Sequence, residues 1–147
     1  MKLKVHHQLL AMGLSPNELK VYCYLMSCAT DGIAIVRAGR IAERCQISRA
    51  TVQTACTSMA AKGVLSKVNR YADGHLVANA YHLSTFTGRF FMLDADAAVF
   101  GLSGSVFTTY LALLSHRGRN GKAFPSLRKL AVALRLCRNT IIRAIRQ

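Results

Sequence analysis

Apolar residues fall at helical spacing just after the first Ser-Pro pair of the chain. Ser15 and Pro16 supply an N-cap and a first helical residue of fixed φ. Leu19, Tyr22, Leu25 and Met26 follow at i, i+3, i+6 and i+7, the stripe of an amphipathic helix. Asp31-Gly32 predicts a turn that ends it, and Ile33-Ala34-Ile35-Val36 reads as a short strand. A second helix is predicted over 38–44, then a break at Cys45-Gln46-Ile47, then a third helix from the N-cap Ser48 to Lys62. Gly63 stands where a left-handed residue commonly closes a helix. Residues 64–70 and 76–83 alternate in strand fashion around Ala72-Asp73-Gly74, a hairpin signal.

The pattern then starts again. Gly13-Leu14-Ser15 returns as Gly101-Leu102-Ser103, and Val21-Tyr22-Cys23-Tyr24-Leu25-Met26-Ser27 as Thr109-Tyr110-Leu111-Ala112-Leu113-Leu114-Ser115, an offset of 88. After one inserted residue Arg40-Ile41-Ala42 matches Lys129-Leu130-Ala131, and Ile47-Ser48-Arg49-Ala50-Thr51-Val52 matches Leu136-Cys137-Arg138-Asn139-Thr140-Ile141. Identities are few, but order, residue type and spacing agree, so each copy is expected to be the same small fold.

The order helix, strand, helix, turn, helix, hairpin carries a resemblance. The stretch Ile41-Ala42-Glu43-Arg44-Cys45-Gln46-Ile47-Ser48-Arg49-Ala50-Thr51-Val52 resembles the core of a bacterial helix-turn-helix, and the hairpin over 64–83, closed by Asn79-Ala80-Tyr81-His82-Leu83, is similar to the wing of winged-helix proteins. In copy two, Phe124-Pro125-Ser126 leads into Leu130-Ala131 and then Arg138-Asn139-Thr140. That run resembles a helix-turn-helix family of plasmid, phage and conjugative-element proteins. The resemblance covers 3–83 and 90–147 and implies a mainly α fold with a small β-hairpin wing (α+β): two tandem winged helix-turn-helix domains, 1–84 with its wing at 64–83 and 85–147 truncated after the recognition helix. Two departures stand out. Cys137 replaces the family's usual Ser cap, and copy two stops at Gln147, which aligns with Ser58 inside the first recognition helix. A longer parent protein is the expected reason, since such a stop leaves the last carbonyls uncapped.

Charge points the same way. The 147 residues hold 20 Lys and Arg against 6 Asp and Glu, a formal net charge of +14. That excess suits a polyanionic partner, most often nucleic acid. No apolar run reaches the roughly 18 residues of a membrane span. Six acids argue against a carboxylate-rich metal site or a glycosidase pair. Cys23, Cys28, Cys45, Cys56 and Cys137 form neither a disulfide framework nor a zinc spacing and read as reduced, mostly core thiols. His6, His7, His75, His82 and His116 are scattered, and no Gly-rich phosphate loop or nucleophile motif is present, so no enzyme, cofactor or metal is expected.

A helix-turn-helix lays its second helix in the major groove while neighbouring backbone grips phosphates. On the first such helix Arg49, Ala50, Gln53, Thr54 and Thr57 should face outward, with Thr51 near its start; Val52, Cys56 and Met59 should face inward. Arg49 can fork to guanine, Gln53 to adenine, and Thr can reach a phosphate or a thymine methyl. In copy two Arg138, Asn139, Thr140, Arg143 and Arg146 take the equivalent positions, with Arg135 in the preceding turn. Arg128 and Lys129 should touch backbone rather than bases. Residues 97–147 carry nine Lys and Arg and no acid, whereas a merely solvated face mixes both signs. In the wing, Lys67, Arg70 and Tyr71 are the candidate contacts, with Asn69 and His75 beside the Asp73-Gly74 tip. The aromatic residues of 84–100 are expected to pack between the copies.

The expected function is sequence-specific binding of double-stranded DNA by a cytoplasmic, nucleoid-associated transcriptional regulator. The alternative is the DNA-binding region of a plasmid or mobile-element replication initiator or conjugation accessory protein. A homodimer and the transcription or replication machinery are further partners that this reading allows; a membrane is not. The two recognition helices differ outwardly (Arg49, Gln53 and Thr54 against Arg138, Ile142 and Arg143), so an asymmetric or direct-repeat site is expected for each chain.

Overall fold

The computed structural model describes residues 2–95 and 97–115. In chain order its elements are β1 (Lys2–His6), α1 (His7–Leu10), α2 (Pro16–Cys28), β2 (Ile33–Val36), α3 (Ala38–Cys45), α4 (Arg49–Ala61), β3 (Leu65–Val68), β4 (Tyr71–Ala72), β5 (His75–Leu76), β6 (Asn79–Leu83), β7 (Phe90–Asp94), α5 (Ala97–Phe100) and α6 (Gly104–Ser115). This is an α+β fold of helices with small antiparallel sheets.

Local signals set most of these boundaries. Ser15 caps α2 in a full capping box: its Oγ accepts from the Glu18 N–H at 3.2 Å, and its own N–H donates to Glu18 Oε2 at 3.3 Å. Ser48 caps α4 by accepting the Thr51 N–H at 3.0 Å. Helix α4 closes in a Schellman arrangement, Val64 N–H to Met59 O and Gly63 N–H to Ala60 O, with Gly63 at φ 74°. Asp73 and Gly74 both have positive φ, 50° and 77°, the two-residue turn that matches strand twist.

The hairpin differs from two continuous strands. It is stepped: β3 pairs with β6, then β4 with β5 at the tip, and residues 69–70 and 77–78 belong to no strand. In β3 only Leu65 is buried, so outer strand and tip stand clear of the core. Strand β2 adds to the other edge of β6, giving the order β2-β6-β3.

The stripe of α2 is broader than its spacing implies. Every residue from Glu18 through Leu25 is buried, because α3 and α4 pack on one side while α6, β1 and β2 take others. Two charged side chains are drawn in with it. Glu18 Oε2 accepts from Lys62 Nζ at 2.9 Å, tying the end of α4 to the start of α2. Lys20 Nζ donates to Cys45 O at 2.9 Å and Leu102 O at 2.6 Å.

The segment between the copies is structured. Strand β7 pairs antiparallel with β1, from Lys2 opposite Asp94 to His6 opposite Phe90. Both strands, Lys2–His6 and Phe90–Asp94, stand 88 positions apart, as do the starts of α2 and α6 at Pro16 and Gly104. The repeat therefore extends upstream of the sequence match, through residues whose identities show no kinship. Phe100 is buried on Tyr24 and Phe107, at ring separations of 5.4 and 6.2 Å. Phe86 meets Tyr22 edge-on at 6.1 Å, whereas Phe90 and Met92 remain exposed.

Candidate nucleic-acid interface

Helix α3 ends on a residue that only its backbone can use. Gln46 adopts the left-handed conformation, φ 54° and ψ 49°, and its N–H and that of Ile47 both return to Ala42 O. This turns the chain sharply enough for Ser48 to start α4 against α3, with Ile41, Cys45, Val52 and Met59 fully buried between them. Val52, Ala55, Cys56 and Met59 fill the inner face of α4. Arg49, Ala50, Gln53, Thr54 and Thr57 are exposed on the outer one. Thr51 is half-buried and its hydroxyl is engaged with Ser48 Oγ at 2.7 Å.

Between α4, the start of α3 and the hairpin lies a cleft of about 410 Å³ lined by Arg37, Arg49, Gln53, Lys67, Asn69 and Asn79, with Ala38 and Val77. It gathers three cations and no acid. The Arg49 guanidinium lies over Gly39, where a Cβ would stand 3.6 Å from its Cζ. That contact holds the fork at the first turn of α3, a turn without acidic residues or a side-chain cap. Unpaired helix N–H groups and guanidinium forks both favour anions. Asn79 Oδ1 is buried without a hydrogen-bond partner, while its Nδ2 donates weakly to the Tyr81 hydroxyl at 3.5 Å. A buried amide oxygen of this kind is a ready acceptor for a donor that enters the cleft.

Of the sequence candidates, the cleft brings together Arg49, Gln53 and Lys67. Ala50, Thr51 and Thr54 line a shallower groove of about 250 Å³ against the start of α2, beside Ser15, Asn17 and Glu18. Arg70 and Tyr71 are exposed near the hairpin tip and line neither. Arg128, Lys129, Arg135, Arg138, Asn139, Thr140, Arg143 and Arg146 lie outside the described residues. Arg37 and Asn79 join the cleft without having been singled out. Arg37 was legible in principle, as the residue just before a basic-flanked helix; Asn79 was not, because only the strand pairing Val36 opposite Asn79 brings it there.

The family model of the helix-turn-helix domain matches residues 12–65 and again 101–147, together more than half of the chain. The chain belongs to this helix-turn-helix domain family. The two matched segments coincide with the two copies in the sequence and fit tandem winged helix-turn-helix domains. A helix-turn-helix is a DNA-binding unit, and the cleft sits where its second helix and wing converge. No curated protein and no solved structure matches the chain. Among the described residues no helix is long and apolar enough to cross a membrane, and no group of three His, Cys, Asp or Glu could hold a metal ion.

The buried thiols of this helix-turn-helix, Cys23, Cys45 and Cys56, serve packing, whereas Cys28 is exposed. Burial pushes Cys45 up to about 12 and raises Cys23 and Cys56 as well, so they stay protonated and weakly nucleophilic.

Proposed function

We propose that the protein is a sequence-specific binder of double-stranded DNA that acts as a transcriptional regulator in the cytoplasm. The observation that carries this reading is the acid-free cleft in which Arg37, Arg49, Gln53 and Lys67 converge from three elements. In this reading Arg49 and Gln53 meet base edges in the major groove, where their forked geometry distinguishes guanine and adenine. Arg37 and Lys67 hold the flanking phosphates and set the register. Arg70 and Tyr71 bring the wing to the neighbouring backbone. In copy two, Arg138, Asn139, Thr140, Arg143 and Arg146 read a second element, and Arg128, Lys129 and Arg135 grip its phosphates. Residues 1–84 and 85–147 are the two reading units.

Mapping the positions occupied on genomic DNA tests the proposal. Protected sites overlapping promoters are expected. Iterated sites beside an AT-rich tract would instead place the protein in replication initiation, and uniform occupancy would remove sequence specificity.

A further inference from the structure

The two copies meet through equivalent parts of themselves. Strand β7 is the counterpart of β1 at the repeat offset of 88, and the two pair antiparallel. Lys4 stands opposite Met92, its own counterpart. On either side the partners exchange: Leu3 faces Leu93 and Val5 faces Phe91, where Phe91 is the counterpart of Leu3 and Leu93 that of Val5. Residue i against j and j against i is the mark of an isologous contact about a two-fold axis, whereas head-to-tail copies join unlike surfaces.

A second contact, in another layer, follows the same rule. Helices α2 and α6 pack together, and they begin at the counterparts Pro16 and Gly104. A Cβ added at Gly104 would lie 3.0 Å from Pro16 Cβ. The starts of the two helices thus touch at the axis, and glycine stands where a second proline would collide with the first. Leu9, Val5, Leu93, Phe107 and Leu111 are buried about this junction.

We propose that the chain is a covalent pseudo-dimer whose DNA site is an imperfect inverted repeat, contrary to the direct repeat that the differing recognition residues alone suggest. The inference rests on the DNA-reading function above and adds the symmetry of the target. A two-fold protein presents its recognition helices to half-sites of opposite orientation. The halves share the residues Arg49 and Arg138 and the residues Thr51 and Thr140, which favours related bases. Gln53 against Ile142 and Thr54 against Arg143 make the halves unequal.

The test selects bound duplexes with the full chain from a pool carrying about 30 randomised base pairs, room for half-sites about 10 base pairs apart. Hydroxyl-radical cleavage of both strands of a selected duplex then reads the symmetry whatever its sequence. The expected protection, read 5′ to 3′ on one strand, recurs 5′ to 3′ on the other about a central point. The same protection repeated by translation along one strand, or a single protected element, overturns the proposal. A variant combining Cys137→Ser, Asn139→Ala, Ile142→Gln, Arg143→Thr and Arg146→Thr gives both copies the same cap and the same outward residues. It should select a palindrome, and selection of a direct repeat overturns the proposal independently. If no duplex is retained by either protein, the DNA-reading function itself falls and the inference falls with it.

Discussion

The junction between the copies and the face of α4 are built from opposite materials. At the junction Leu3, Val5, Leu93, Phe107 and Leu111 are buried, and ring contacts link Tyr24, Phe100 and Phe107. On the face, Arg49, Gln53, Thr54 and Thr57 are exposed, and the helix starts on the Ser48 hydroxyl, which accepts the Thr51 N–H and meets the Thr51 hydroxyl. The junction holds shape by removing apolar surface from water, and the face keeps its polar groups free for a partner. Lys20 joins the two regions. Its ammonium reaches Cys45 O at the end of α3 and Leu102 O in copy two, so one buried cation closes both the recognition unit and the junction. The contrast teaches that stability and binding are separable here, and substitutions should sort accordingly.

The largest effect should come from salt, which acts on the face alone. If about 6–10 phosphates are contacted, affinity for duplex DNA should fall by roughly 10³–10⁵ between about 50 and 200 mM salt, while stability changes little. A flat response in a binding titration would dissociate the face from nucleic acid. Next, Phe107→Ala at the junction should cost about 3–5 kcal/mol of stability in urea unfolding, as a fully buried aromatic does.

Arg49→Ala reverses the assignment. Its stability cost should stay within about 0.5 kcal/mol, yet discrimination between sites should drop by about 1–3 kcal/mol in competition binding. Lys67→Ala should weaken all duplexes alike. Lys20→Met blurs the comparison, since it strips a donor from Cys45 O and Leu102 O. Unsatisfied carbonyls cost about 1–3 kcal/mol, offset in part by removal of a buried charge. The net loss of about 1 kcal/mol in unfolding should fall on both copies together.

The most gradual effect is that of pH. Burial raises Cys45 from 9.0 to about 12 and Tyr22 from 10.0 to about 12. The fold keeps these protons above the pH at which an unfolded chain releases them. Their contribution is therefore whole below about pH 9 and is lost as the pH climbs towards 12. Lys20, lowered from 10.5 by desolvation, works the other way, since its cost is relieved as it deprotonates. Several buried acids outweigh one amine, so the denaturation midpoint should fall between about pH 8 and pH 11; a rise would contradict this account.

The chain's own sequence determined what depends on neighbouring residues. Ser15-Pro16, Asp31-Gly32, Ser48, Gly63 and Asp73-Gly74 each set a cap or turn through backbone preferences that act within a few residues. The period of Val52, Cys56 and Met59 sorted the two faces of α4 in the same local way. The internal repeat announced two copies. Tertiary structure decided the rest. Lys2–His6 and Phe90–Asp94 become strands only because each supplies the other's hydrogen bonds across 88 positions, and strand formation follows its surroundings more than its composition. Lys20 is buried with its ammonium on Leu102 O, a carbonyl that the turn ahead of α6 brings from 82 positions away. Arg37 and Asn79 enter the cleft through the pairing of β2 with β6. A cap is a contact between residues three apart, which the sequence states outright. A cleft or an axis is a contact between residues tens of positions apart, and it exists only after the chain has folded back on itself.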